Sequence, residues 1–139
     1  MYISETKIRV RYAETDRMGY VYYGNYAAWF EVGRVEALRS LGLSYKVMED
    51  QGVMLPVLSY NIKYFKPAFF DDVLTIRTTV NAVPSGTRIH FHYETINEQG
   101  ISLNKAETSH VFVKTTNGRP CPVPQNVIEI LTPFFKENK

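Results

Sequence analysis

The sequence predicts an α+β fold, with five strands in one antiparallel sheet and a single long helix packed against it. Three observations lead there. The segment from Asn25 to Gly42 carries apolar residues at helical spacing. Five other segments show strand-like apolar patterning over strand lengths. The strands after the helix are joined by turn-forming stretches such as VPSGT and NEQG, which suit antiparallel neighbours. With 139 residues the chain matches one domain around one core, so residues 1–139 are expected to form a single domain, ending in a tail from about residue 117.

The elements follow in order. In TKIRVRY, Ile8, Val10 and Tyr12 point one way and Lys7, Arg9 and Arg11 the other, as in a half-buried strand. A loop rich in tyrosine and glycine leads to the helix. There Tyr26, Phe30, Gly33, Ala37 and Leu41 share one face, Asn25 is suited to cap the start and Gly42 to end it. Gly33 inside the helix costs about 1 kcal/mol against alanine, which close approach of the helix to a sheet would offset. SYKVMEDQG adds a short helical turn. Leu58, Tyr60, Ile62 and Tyr64 share a face of the second strand; Leu74, Ile76, Val80 and Ala82 of the third; Ile89, Phe91 and Tyr93 of the fourth. ISLNKAETSHVFVKT is a last strand with weak alternation, and QNVIEILTPFF a short terminal helix. One helix covers one face of such a sheet, so the other is either solvated or a subunit interface.

Composition narrows the function. Lys and Arg number 16 against 14 Asp and Glu, so there is no basic footprint for nucleic acid. The N-terminus has no long apolar run, which argues against a signal peptide or a membrane span. A lone cysteine, Cys121, rules out an internal disulfide and is compatible with the cytoplasm, the expected location. No phosphate-binding glycine loop and no Gly-x-Ser-x-Gly elbow is present.

Two segments carry a resemblance. Asp16-x-x-Gly19-x-Val21-x-Tyr23-x-Asn25-Tyr26 leads into the helix, and Tyr64-x-x-Pro67-Ala68-x-x-x-Asp72 leads into a strand. Together they resemble the hot-dog-fold acyl-CoA thioesterases, in particular the 4-hydroxybenzoyl-CoA thioesterase-like family with its Tol–Pal-cluster group. The likeness runs from about Thr6 to Lys114. It implies a curved antiparallel sheet wrapped around the central helix, and a homodimer or homotetramer. It implies hydrolysis of an acyl-thioester to a free acid and CoA, with no metal or redox cofactor. Tol–Pal-group members usually carry histidine where this chain has Tyr23, so proton transfer by a histidine there is ruled out and the chemistry centres on Asp16.

Thioester hydrolysis needs a delivered nucleophile and a stabilised oxyanion. Asp16 is the candidate for the first need, as nucleophile or as general base. The unpaired amides at the start of the helix suit the second, and the resemblance assigns that role to the backbone N–H of Tyr23. Gly19 is expected to bring the loop close to the ligand. An aspartate before a helix is also a common turn residue, so the two readings compete at Asp16. Glu31 on the helix is a reserve carboxylate. Asn25, Tyr26, Lys63 and Arg88 are candidate substrate contacts, the two cations for the CoA phosphates, with Lys66 and Arg77 as further basic candidates.

His90 and His92 share one face of a strand, and His110 stands on another, but no complete metal-ligand set is evident. Cys121 lacks any nucleophile signature and is expected to be a bystander thiol. Two rivals remain. One is the same hydrolysis on acyl carrier protein. The other is a non-catalytic hot-dog module that binds acyl ligands.

Overall fold

The structure is a computed structural model, and it describes residues 1–136. The chain runs β1 (Tyr2–Arg9), a 3-10 turn (Tyr12–Glu14), α1 (Asn25–Ser40), α2 (Tyr45–Asp50), β2 (Val53–Met54), β3 (Val57–Tyr64), β4 (Val73–Val80), β5 (Arg88–Ile96), β6 (Ser102–Val111), β7 (Val113–Lys114) and α3 (Gln125–Leu131). Five strands form one sheet in the order β1-β4-β5-β6-β3, every neighbouring pair antiparallel; β2 and β7 form a small separate ribbon. The chain thus leaves one edge of the sheet at β1, passes over its face as α1, and returns at the opposite edge as β3.

The buried stripe of α1 holds Tyr26, Phe30, Gly33 and Ala37, as the spacing predicts, widened by Trp29, Arg34 and Leu38. At Gly33 the helix packs close against β4. A Cβ there would stand 2.6 Å from Thr78 Oγ1 and 2.9 Å from Ile76 Cγ2. Phe30 stacks on Tyr93 of β5 with ring centroids 4.8 Å apart. The helix ends at Leu41. Gly42, at φ +78°, follows in the left-handed region, and the Leu43 amide donates back to Leu38 O.

Three sequence expectations need correction here. The helix N-cap is Gly24, not Asn25; Asn25 is the first helical residue. Tyr12 lies in the 3-10 turn beyond β1 and is exposed, because the chain bends where the Val10 amide and carbonyl bond to the Asp72 and Asp71 backbone. Ala82 stands past the end of β4 and is exposed. The expected C-terminal tail also supplies core: Cys121, Val123, Val127 and Leu131 pack into the main hydrophobic cluster.

The two sheet faces differ. The face under α1 presents Leu74, Ile76, Phe91, Tyr93 and Ala106, all buried. The other presents Lys7, Arg77, His92, Glu94, Lys105 and Glu107, with ion pairs such as Arg77–Glu94 at 3.2 Å, and is solvated. At the edge, β3 leaves Val57, Leu58, Tyr60 and Tyr64 exposed. No helix among the described residues is long and apolar enough to cross a membrane.

Candidate active site

The two quoted segments meet in space. The Val21 amide donates to Ala68 O at 2.9 Å, and Tyr20 bridges Phe69. Between them opens a cleft of about 460 Å³, whose walls include Asp16, Tyr23, Tyr26, Tyr64, Phe65 and Lys66. Pro67, which cannot donate, and buried Ala68 let the second segment lie flat against the first.

Asp16 heads a tight turn. Its amide donates to Tyr20 O at 2.8 Å, its carbonyl accepts from Gly19 N at 3.0 Å, and its Oδ1 accepts from Met18 N at 2.9 Å. One carboxylate oxygen therefore holds the turn. Oδ2 takes part in no hydrogen bond among the described residues, and the side chain is open to solvent. The turn-residue reading and the chemical reading of Asp16 are thus compatible. Gly19 sits at φ +81° with no atom within 4 Å of a Cβ built there. The positive φ there favours glycine.

The Tyr23 amide has no acceptor among the described residues, nor does that of Gly24 beside it. Both precede the first turn of α1, where the aligned helix dipole favours negative charge. The Tyr23 ring is exposed and leans on Tyr22, with centroids 4.6 Å apart. Tyr26 forms the cleft floor; burial pushes its phenol up to about 12, so it is a neutral hydroxyl at physiological pH. Its ring meets Tyr64 edge-on at 5.8 Å.

Other candidates fall elsewhere. Both protons of the Asn25 amide are engaged, by Glu14 O at 2.8 Å and Tyr22 O at 3.2 Å, so Asn25 clamps the loop and is not part of the cleft wall. Lys63 pairs with Lys105 and faces away from Ile62 and Tyr64, on the solvated side of the sheet. Arg88 stands opposite Val111, at the far end of the sheet from the cleft. Arg77 is tied to Glu5 and Glu94 on the solvated face. The cation that does reach the cleft is Lys66. Glu31 is exposed on α1 but outside this cleft.

His90 bonds Ser109 on the solvated face, and His92 approaches Glu107 at 3.9 Å. His110 lies on the opposite face, fully buried, so the three do not converge. Among the described residues no three metal-ligating side chains cluster. Cys121 is a buried free thiol.

Sequence reasoning missed Glu14. It is buried at 8% exposure, accepts from Arg11 N at 2.8 Å and Trp29 Nε1 at 3.0 Å, and its carbonyl accepts from Tyr22 N. Burial raises its pKa, but the hydrogen bonds from Arg11 and Trp29 outweigh that and hold it below the usual carboxylate value. Glu14 thereby fastens the Asp16 loop to α1 through Trp29. Only the fold reveals it, because its partner Trp29 is 15 residues away.

The thioesterase-like superfamily model matches residues 10–131, most of the chain and all of this cleft. The chain belongs to that superfamily. This thioesterase-like chain is 38% identical over 120 residues to a protein of Bacillus subtilis called putative acyl-CoA thioesterase YneP, covering 86% of each. It is 31% identical to the acyl-CoA thioester hydrolase YbgC of Escherichia coli, over 87% of this chain and 90% of that protein. Among solved structures, a DHNA-CoA thioesterase from Staphylococcus aureus matches with a TM-score of 0.83 and 37% identity, over 97% of this chain and 85% of that one. A 4-hydroxybenzoyl-CoA thioesterase matches with a TM-score of 0.84 at 22% identity, covering 94% and 99%, a likeness of fold. The fold of this thioesterase-like chain is the hot-dog fold, and the enzymes it resembles are thioester hydrolases.

Proposed function

We propose that the protein is an acyl-CoA thioesterase that hydrolyses an acyl-thioester to a free acid and CoA. One observation supports the reading: Asp16, with an unbonded Oδ2, and Tyr23, whose amide has no acceptor among the described residues, line the same cleft. The thioester carbonyl would lie at the start of α1, its oxygen accepting from Tyr23 N–H. Negative charge developing on that oxygen meets a fixed donor and the helix dipole, which need no reorganisation during reaction. Gly24 N–H is a second donor for the same charge.

Asp16 completes the chemistry in one of two ways. As general base it takes a proton from water as the water oxygen attacks the carbonyl carbon. As nucleophile, Oδ2 attacks directly and forms an anhydride that water then cleaves. In both, the tetrahedral intermediate collapses with rupture of the C–S bond, and the CoA thiolate leaves and takes up a proton. Single turnover in ¹⁸O-water separates them where water opens the anhydride at the aspartyl carbonyl: the acid product then carries unlabelled aspartate oxygen and Asp16 the label, whereas the general-base route labels the acid.

Names of relatives at 31% and 38% identity support an acyl-CoA substrate. Lys66 at the cleft is the cation suited to a CoA phosphate. The exposed apolar edge of β3 supports a homodimer in which two sheets join edge to edge, the two clefts lying along the seam.

The test is release of free thiol from a panel of aliphatic and aromatic acyl-CoAs, with matched acyl carrier protein thioesters alongside. Turnover is expected, with higher kcat/KM on the CoA esters. No turnover together with tight ligand binding would replace this reading with an acyl-binding module. Higher kcat/KM on the carrier protein would move the substrate to that carrier.

A further inference from the structure

A second cavity of about 380 Å³ lies one helical turn beyond the cleft, between α1 and β3. Their walls adjoin through Tyr26 and Phe30, whose ring centroids are 6.3 Å apart. Tyr26 and Tyr64, in ring contact, line the first; Phe30 and Tyr60, in ring contact, line the second. On each element the paired residues are four apart, so the groove runs on without a break in register.

Arg34 also lines this second cavity. It is only 6% exposed. Its Nε donates to Tyr45 Oη at 2.9 Å and one terminal nitrogen, Nη1, to Tyr93 Oη at 3.1 Å. Both acceptors are phenol hydroxyls. None of the ion pairs among the described residues includes Arg34, and Nη2 donates to no acceptor there. A buried guanidinium without an anion is costly, and arginine keeps its charge. One of these hydroxyls is engaged further: Tyr93 Oη also bonds Thr108 Oγ1 at 2.7 Å, and Thr108 bonds His110 at 2.9 Å. That chain fixes the orientation of the guanidinium. The free edge is left for a ligand.

We propose that this second cavity is an acyl subsite in which Arg34 binds a carboxylate at the far end of the acyl group, so that the enzyme prefers ω-carboxyacyl-CoA substrates. The inference rests on the thioesterase reading above. From Asn25, its first residue, to Arg34 the helix rises about 14 Å, and a helical side chain leans back toward the N-terminus, shortening the gap. An acyl chain of medium length spans it. The walls between, Ala27, Ala28, Phe30 and Tyr60, are apolar or aromatic and suit its methylenes. Glu31 lines the same cavity and is its competing feature, since it could swing to pair with Arg34 itself.

The experiment compares matched pairs, hexanoyl-CoA with adipoyl-CoA and decanoyl-CoA with sebacoyl-CoA, in wild type, Arg34→Gln and Glu31→Gln. Wild type is expected to favour the dicarboxylyl member of at least one pair by tenfold or more in kcat/KM, mostly through KM. Arg34→Gln should abolish that preference, lowering kcat/KM on the dicarboxylyl member far more than on its neutral partner. Glu31→Gln should enlarge it. Calorimetric binding to Asp16→Asn reads the same preference without turnover, so a failure of the hydrolytic reading is distinguished from a failure of this one. Equal wild-type kcat/KM within both pairs overturns the inference, as does a preference that survives Arg34→Gln. If Arg34→Gln does not fold, Arg34→Lys decides. Retention of a weakened preference supports the subsite, and an undiminished one overturns it. A Glu31→Gln variant that loses stability without gaining the preference shows that Glu31 is the partner of Arg34, and also overturns it.

Discussion

Glu14 couples fold to chemistry at the scale of single residues. Its two carboxylate oxygens hold Arg11 and Trp29, and its carbonyl holds Tyr22 and Asn25. Glu14→Gln keeps the shape but removes the charge and turns a donor toward one of these donors. The expected cost is about 1–3 kcal/mol, read as a lower urea midpoint, with a fall in kcat because the Asp16 loop loosens. An unchanged midpoint would show that the strut is dispensable. The turn at Asp16 was legible from the sequence, because turn chemistry and a following helix are local signals, whereas its chemical role was drawn from the family resemblance. Glu14 and Arg34 were not. Their importance comes from burial and from partners such as Trp29 and Tyr93, which local patterning does not reveal. Lys63 and Arg88 were misplaced for a related reason. Strand alternation gives two faces without saying which one the helix covers, and nothing local says which end of the sheet holds the cleft.

Among the elements, α1 lies close against β4 at Gly33. Gly33→Ala would gain about 1 kcal/mol of helix propensity. It would also drive a methyl to within 2.6 Å of Thr78 Oγ1. Overpacking of this kind costs about 1–3 kcal/mol, so the variant should be less stable, and Gly33→Val much less so. Thermal unfolding checks it; a stabilised Gly33→Ala would mean that the helix shifts without penalty. The helical face around Gly33 was readable because its period persists for four turns. The last strand was harder. On its inner face β6 carries Asn104, Ala106, Thr108 and His110, so burial there does not follow hydrophobicity. Thr108 and His110 are buried within the network that orients Arg34, which explains why a strand with weak alternation is nonetheless central.

For the whole molecule, pH and assembly are the readouts. Burial, then the charge of Arg34, push the His110 imidazole down to about 4. A histidine with a depressed folded pKa is proton-poor in the fold and proton-hungry when unfolded. Its contribution is therefore complete above about 6.5 and is lost as pH falls toward 4, on the order of 3 kcal/mol over the full excursion. Glu14 has the ordinary carboxylate sign, so its contribution persists to lower pH and fades below about 4.5. Stability should fall in two stages on acidification, and His110→Gln should flatten the first. At the edge of the sheet, Leu58→Lys puts a charge on the exposed strand β3 and is expected to shift a dimer toward monomer in light scattering. A wild-type monomer would remove the proposed edge-to-edge assembly.

The most direct test of the chemistry is the turnover number of Asp16→Asn on the best acyl-CoA from the panel, with folding checked by circular dichroism. Asparagine keeps the Oδ1 bond to Met18 N that holds the turn, and removes only the basic oxygen. The account predicts a fall in kcat of about 10²–10⁴-fold with the fold intact; a kcat near wild type would contradict it.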